Sequence, residues 1–210
     1  MVKENIELMM QARESLKGKW GLAVGTFFIY MLISGVAQSI PGIGQLTMLV
    51  VAGPLGLGVA IFALALARKQ EARLEQILDG FKNFTTALGA YILMMIFIVL
   101  WSLLLFIPGI IAALAYFQVF YIIADDSSIG AMDALRKSKE MMYGYKWKLF
   151  CLGLRFFGWA LLCIPTLGIG FLWLVPYMHV TYANFYENIK ENKVERGQNE
   201  NSSLAFFPWN

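Results

Sequence analysis

Arg155, Gln118 and His179 are the residues whose types and placement could do chemistry. Arg155 lies seven residues after Lys148, Gln118 seven before Asp125 and His179 eight before Glu187. On helices this sets all three about 10 to 12 Å in from charged edges, at 1.5 Å per residue. Such a layer, with Tyr116, Tyr177 and Asn184 nearby in the same segments, could clamp a phosphate or carboxylate, because a guanidinium meets an oxyanion with a planar fork of N–H donors. The simpler account is that Arg155 snorkels, since two helical turns are within its reach of lipid headgroups. His179 would then hydrogen-bond a neighbouring helix.

Other reaction centres are missing from the sequence. One His and two Cys offer no metal cluster at ligand spacing. There is no Gly-x-Ser-x-Gly elbow, P-loop or His-Glu-x-x-His. Asp125-Asp126 has the chemistry to hold a cation, although with Ser127-Ser128 it reads more simply as a helix cap. The expectation is a non-enzymatic protein with no metal or cofactor.

The elements that must position these residues are membrane helices. Hydrophobic residues make up 59% of the 210 residues and charged residues only 15%, with a mean hydropathy of +0.61. That composition is too apolar for a soluble domain of this length. Sixteen of the seventeen Lys and Arg residues sit in segments 1–19, 68–84, 125–148 and 187–210; Arg155 is the exception. The apolar stretches between them, 20–40, 47–67, 88–107, 110–124, 149–164 and 167–186, predict six crossings of a hydrocarbon core about 30 Å thick. Because Lys and Arg collect on the cytoplasmic side, both termini are expected inside, in a cell membrane. The fourth and fifth stretches are short for a full span. Outer connections are expected at Pro41-Gly42-Ile43-Gly44, Pro108-Gly109 and Pro165-Thr166-Leu167-Gly168.

Three charged segments carry apolar residues at three- and four-residue steps: Val2, Ile6, Met9 and Leu16; Leu74, Ile77, Phe81 and Phe84; Ala131, Leu135, Met142 and Tyr145. They predict three amphipathic cytoplasmic helices. The order of surface helix, Gly, basic residue, span, Pro turn and span recurs three times, around Gly18, Gly80 and Gly144, which predicts a threefold parallel repeat. Residues 1–190 read as one integral membrane domain and 191–210 as a polar, disordered tail.

Smaller signals complete this reading. The first nineteen residues lack the apolar core of a cleavable signal. Cys151 and Cys163, about 18 Å apart along one helix, are too far apart for a disulfide. Pro54 and Pro176 fall inside spans, and Gly53, Gly56, Gly58 and Ala60 form a small-residue face, as do Gly21 and Gly25. A net charge of +3 with interleaved acids excludes a nucleic-acid arm. The partners expected are membrane lipids and another membrane or cytoplasmic protein; no feature indicates a homo-oligomer.

The run Pro108-Gly109-Ile110, Ala115-Tyr116, Tyr121-Ile122-Ile123-Ala124-Asp125, Ala134-Leu135, Ser138, Met141-Met142 and Gly144 resembles the bacterial multi-pass membrane family catalogued as domain of unknown function 975. Gly168-Ile169-Gly170, Pro176-Tyr177 and Tyr186-Glu187 resemble it too, and the likeness covers about residues 1 to 190. It implies an integral membrane protein of Firmicutes-like bacteria with no assigned reaction. The chain also looks distantly like the membrane portion attached to some glycerophosphodiester phosphodiesterases, whose catalytic part has no counterpart in these residues. Two roles are therefore carried forward. One is an accessory or membrane-organising factor acting through the cytoplasmic helices. The other is a small permease or lipid-handling protein with an anionic-ligand site around Arg155.

Overall fold

The computed structural model describes residues 3–39, 44–104, 106–166 and 168–205, and no strand occurs among them. The helices are α1 (Asn5–Leu16), α2 (Trp20–Gln38), α3 (Gly44–Ala67), α4 (Gln76–Asp79), α5 (Phe84–Leu104), α6 (Phe106–Tyr116), α7 (Val119–Asp125), α8 (Ala131–Met141), α9 (Lys146–Cys163) and α10 (Phe171–Ala205). A 3-10 turn, Gly80–Asn83, joins α4 to α5.

Helix α3 is the axis of the packing. Among the described residues three segments are long and apolar enough to cross a membrane, and 67% of an 18-residue apolar window of Thr47–Ala67 is buried, against 11% for Gln76–Leu103 and 44% for Ile107–Asp125. Leu57, Ala60, Ala63 and Leu64 of α3 join a core with α5, α7, α8, α9 and α10. Its opposite face, Val59, Phe62, Ala65 and Leu66, packs with α1 and α2. Glycine makes this possible: a Cβ on Gly58 would lie 1.9 Å from the Ile77 carbonyl oxygen, and one on Gly53 2.7 Å from that of Ala87. Gly21 and Gly25 of α2 have no such neighbour within 4 Å.

The outer faces of α2, α5 and α9 leave Leu32, Val99, Leu103, Phe157 and Leu162 exposed, an apolar belt suited to hydrocarbon. Among the described residues three segments rather than six pass by length and composition, or four if α1 and α2, bent by 97°, form one broken span. Lys146, Lys148 and Arg155 make α9 less apolar, and Pro176, His179, Thr181 and Asn184 do the same for α10.

All four charged segments meet at one end of the bundle. The Lys3 N–H donates to Asn188 Oδ1 at 3.0 Å, Asn5 Nδ2 to the Lys148 carbonyl at 3.1 Å, Lys19 Nζ to the Gln70 carbonyl at 2.9 Å and Asn83 Nδ2 to the Ser127 carbonyl at 3.3 Å. Each intervening stretch therefore leaves this end and returns to it as a helical hairpin.

Several expectations change. The Pro108 turn is not the connection: Pro108 sits in the first turn of α6, where a missing N–H costs nothing. The fourth segment is thereby lengthened to 19 residues. Gly109 allows the close return, since a Cβ there would meet Ser102 Oγ at 2.1 Å. Segment 68–84 is no continuous helix: turns at 68–69 and 74–75 flank four residues without regular structure, and it ends in α4 and its 3-10 turn, where Gly80 is pressed against the Pro54 carbonyl. In α1 the buried residues are Leu8, Ala12, Ser15 and Leu16; of the expected face Leu16 is buried and Met9 packs against the core, Ile6 is exposed, and Val2 lies outside the described residues. In the repeat, Gly18 (φ 78°) and Gly144 (φ 84°) share a left-handed turn, but Gly80 is helical at φ −60°. The stretch read as a polar tail continues α10 to Ala205. Pro165-Thr166 does form a turn, closed by the Gly168 N–H to the Cys163 carbonyl at 3.3 Å. Residues 40–43, 167 and 206–210 lie outside the described residues, as therefore do most of the Pro41 turn and the apolar tip.

Candidate functional site

Helix α3 ends in a tight cap. The Lys69 N–H reaches the Leu66 carbonyl at 3.0 Å and the Gln70 N–H the Ala65 carbonyl at 2.8 Å. This leaves Lys69 left-handed at φ 56°, a position usually given to Gly. The cap holds Arg68 across the end of the bundle. Its Nε and Nη2 donate to Glu187 Oε1 at 3.0 and 2.7 Å, and Nη2 also donates to Asp125 Oδ1. Asp125 Oδ2 accepts from Tyr186 Oη at 3.1 Å and from Lys190 Nζ. Burial works against the Arg68 charge, but hydrogen bonds and attraction from both carboxylates outweigh it and hold its pKa above the usual arginine value.

Asp125 and Asp126 thus part company. Asp125 closes α7 onto this network, while Asp126 Oδ1 accepts from the Ser128 N–H at 3.1 Å and Ser128 Oγ at 2.6 Å. The expected cap of α8 is not made, because its N-cap is Gly130.

Beside the network, α1, the end of α3 and α10 enclose an open cleft of about 380 Å³. Asn184, Asn188 and Asn192 recur every four residues on α10, each at most 8% exposed, which is the spacing of one helix face. Asn188 and Asn192 are bonded, through the Lys3 N–H and the Asn188 carbonyl respectively. Asn184 lines the cleft with its Nδ2 buried and unpartnered among the described residues.

The residues singled out from the sequence are distributed elsewhere. Tyr116 and His179 share an apolar cavity of about 390 Å³ with Tyr30, Phe117, Tyr121 and Tyr182. The His179 ring stacks on Phe27 at 5.0 Å, and its carbonyl accepts from Tyr121 Oη at 3.4 Å. Tyr177 lines a different cavity, with Arg13 and Trp20, and its Oη donates to the Met9 carbonyl at 3.1 Å. Gln118 is fully buried at the break between α6 and α7, with neither amide atom partnered among the described residues. Arg155 is exposed, while the adjacent Phe156 turns inward against Tyr177 and Tyr182. Arg155 lines neither cavity, so one ligand does not gather this set.

Sequence reasoning missed the Arg68 network. Its signals were the Asn184-Asn188-Asn192 spacing and the acids that close Ala124-Asp125 and Tyr186-Glu187. The network and cleft present opposed charges and amides, chemistry suited to holding a polar group or fixing helices.

The chain belongs to the family described as Protein of unknown function (DUF975), whose model matches residues 1–111 and 103–193. No curated protein and no solved structure matches it.

Proposed function

We propose that the protein is a non-catalytic multi-pass membrane protein, crossing six times with both termini cytoplasmic. Its role is that of an accessory or membrane-organising factor acting through the layer at its charged end. The observation that carries this reading is the convergence of all four charged segments on one end, where Arg68, Asp125, Glu187 and Lys190 fasten α3, α7 and α10 together. Positive charge gathered at one end sets orientation. The shorter or more polar α2, α9 and α10 complete the three hairpins by packing on α3 and its neighbours. The titratable groups at the network neutralise one another and none activates a nucleophile, so we assign no reaction. Helix α8 supplies the docking chemistry: Ala134, Leu135, Ser138 and Met141 face inward while Met132, Arg136, Lys137 and Lys139 stay exposed.

Topology is tested by placing single cysteines in a chain whose Cys151 and Cys163 are replaced by Ala. Lys137→Cys should react with an impermeant maleimide only after the cells are opened, and Val36→Cys, at the other end, should react in intact cells; reversal sinks the orientation. The accessory role is tested by neutralising the exposed charges of α1, segment 68–84 and α8 and asking whether the variant still complements a deletion strain. Full complementation would remove that role. The lipid-handling alternative draws its support from the cavity that brings Tyr116 and His179 together, and it predicts a retained lipid lost on filling that cavity with Gly56→Leu.

A further inference from the structure

The geometry points to a binding site for a small zwitterion, carrying an ammonium and an oxyanion, in the cleft between α1, the end of α3 and α10. Three cations, Lys3, Arg68 and Lys69, and three carboxylates, Glu14, Glu187 and Glu191, line it, so the opposed charges balance. Arg68 and Glu187 are paired with each other. Lys3, Lys69, Glu14 and Glu191 have no ion-pair partner among the described residues. A bare anion entering here would be repelled by the carboxylates and a bare cation by the basic groups. A molecule bearing both signs satisfies both walls.

Asn184 indicates where the oxyanion goes. Its residue is 8% exposed and its Nδ2 has no acceptor among the described residues, an unfavourable state for a buried donor. A phosphate or carboxylate oxygen in the cleft would accept from it. Lys69, which lines the same cleft and has no ion-pair partner among the described residues, would face the same group. The ammonium would lie toward Glu14 of α1 and Glu191 of α10.

Two sources share this chemistry: a phosphatidylethanolamine headgroup, which requires the charged end to lie at headgroup depth as proposed above, and a free amino-acid-like molecule, which does not. The test is native mass spectrometry of the full chain in detergent, titrated separately with phosphatidylethanolamine, phosphatidylglycerol, O-phosphoethanolamine, L-alanine and inorganic phosphate. One zwitterion should be retained per chain, with affinity falling at least tenfold in Asn184→Leu and in Lys69→Ala, and unchanged in Arg136→Ala on α8. Glu14→Gln, an exposed change that spares the core, should weaken the zwitterions while leaving inorganic phosphate no worse. Retention of phosphatidylethanolamine alone supports the site and assigns the lipid source. Retention of O-phosphoethanolamine or alanine supports it and assigns the soluble one, even if the membrane topology fails. Phosphatidylglycerol or inorganic phosphate binding as tightly as the zwitterions overturns the proposal, as does retention of none or retention indifferent to both Lys69→Ala and Glu14→Gln.

Discussion

Arg68 and Arg155 carry the same guanidinium into opposite surroundings. Arg68 sits in a charged segment where nothing in the local sequence distinguishes it, yet its side chain is 28% exposed and meets two carboxylates. Arg155 stands alone in an apolar run, which marks it at once, and it is exposed on α9 with no hydrogen bond or ion pair among the described residues. Conspicuousness in sequence measures contrast with chain neighbours, whereas structural weight depends on neighbours in space. Asp125 is 57 residues from Arg68 and Glu187 is 119 away.

Removing Arg68 should have the largest effect. Breaking a buried pair costs about 3 to 5 kcal/mol and exposed pairs are worth about 1 or less. At the intermediate exposure of this network, Arg68→Ala should lose about 2 to 3 kcal/mol in reversible unfolding from mixed micelles. Arg68→Lys should recover less than half, because an ammonium cannot span Asp125 and Glu187 as the fork does. Next, a double-mutant cycle of Arg68→Ala with Asp125→Asn should return a coupling of about 1 to 2 kcal/mol. The same cycle between Arg155 and Lys148 should return none, and a similar coupling in both would erase the contrast. A smaller change of opposite sign is expected at Gln118, where both amide atoms are buried and unpartnered among the described residues. Gln118→Leu should raise the thermal midpoint by an amount worth about 1 kcal/mol; a fall would mean that a bound group satisfies the amide. The smallest effect belongs to Arg155→Leu, which should stay within about 0.5 kcal/mol of wild type, as surface changes do.

Much of the architecture was readable locally. The apolar stretches are helices, the buried face of α8 includes the expected Leu135, and Pro54 and Pro176 do lie inside helices. The failures have different causes. Pro108 reads as a turn, yet it is equally at home in the first turn of α6, where its missing N–H costs nothing. Segment 68–84 has helical periodicity, but Gly80 must fit against the Pro54 carbonyl. In α1 the expected Leu16 and Met9 do pack on the bundle, while Ile6 is exposed and Leu8 is buried instead. In the last two cases tertiary contact overrode a local preference worth only tenths of a kcal/mol per residue.

The sequence by itself determined the helical class, the apolar belt and the grouping of charge, since periodicity and composition act over a few turns of chain. Tertiary structure alone decided which charges neutralise one another, which asparagine stays unpartnered and why Arg155 is left outside. These depend on through-space distance, because Coulomb and hydrogen-bond energies fall off over a few ångströms, and only packing around α3 brings residues 68, 125 and 187 that close.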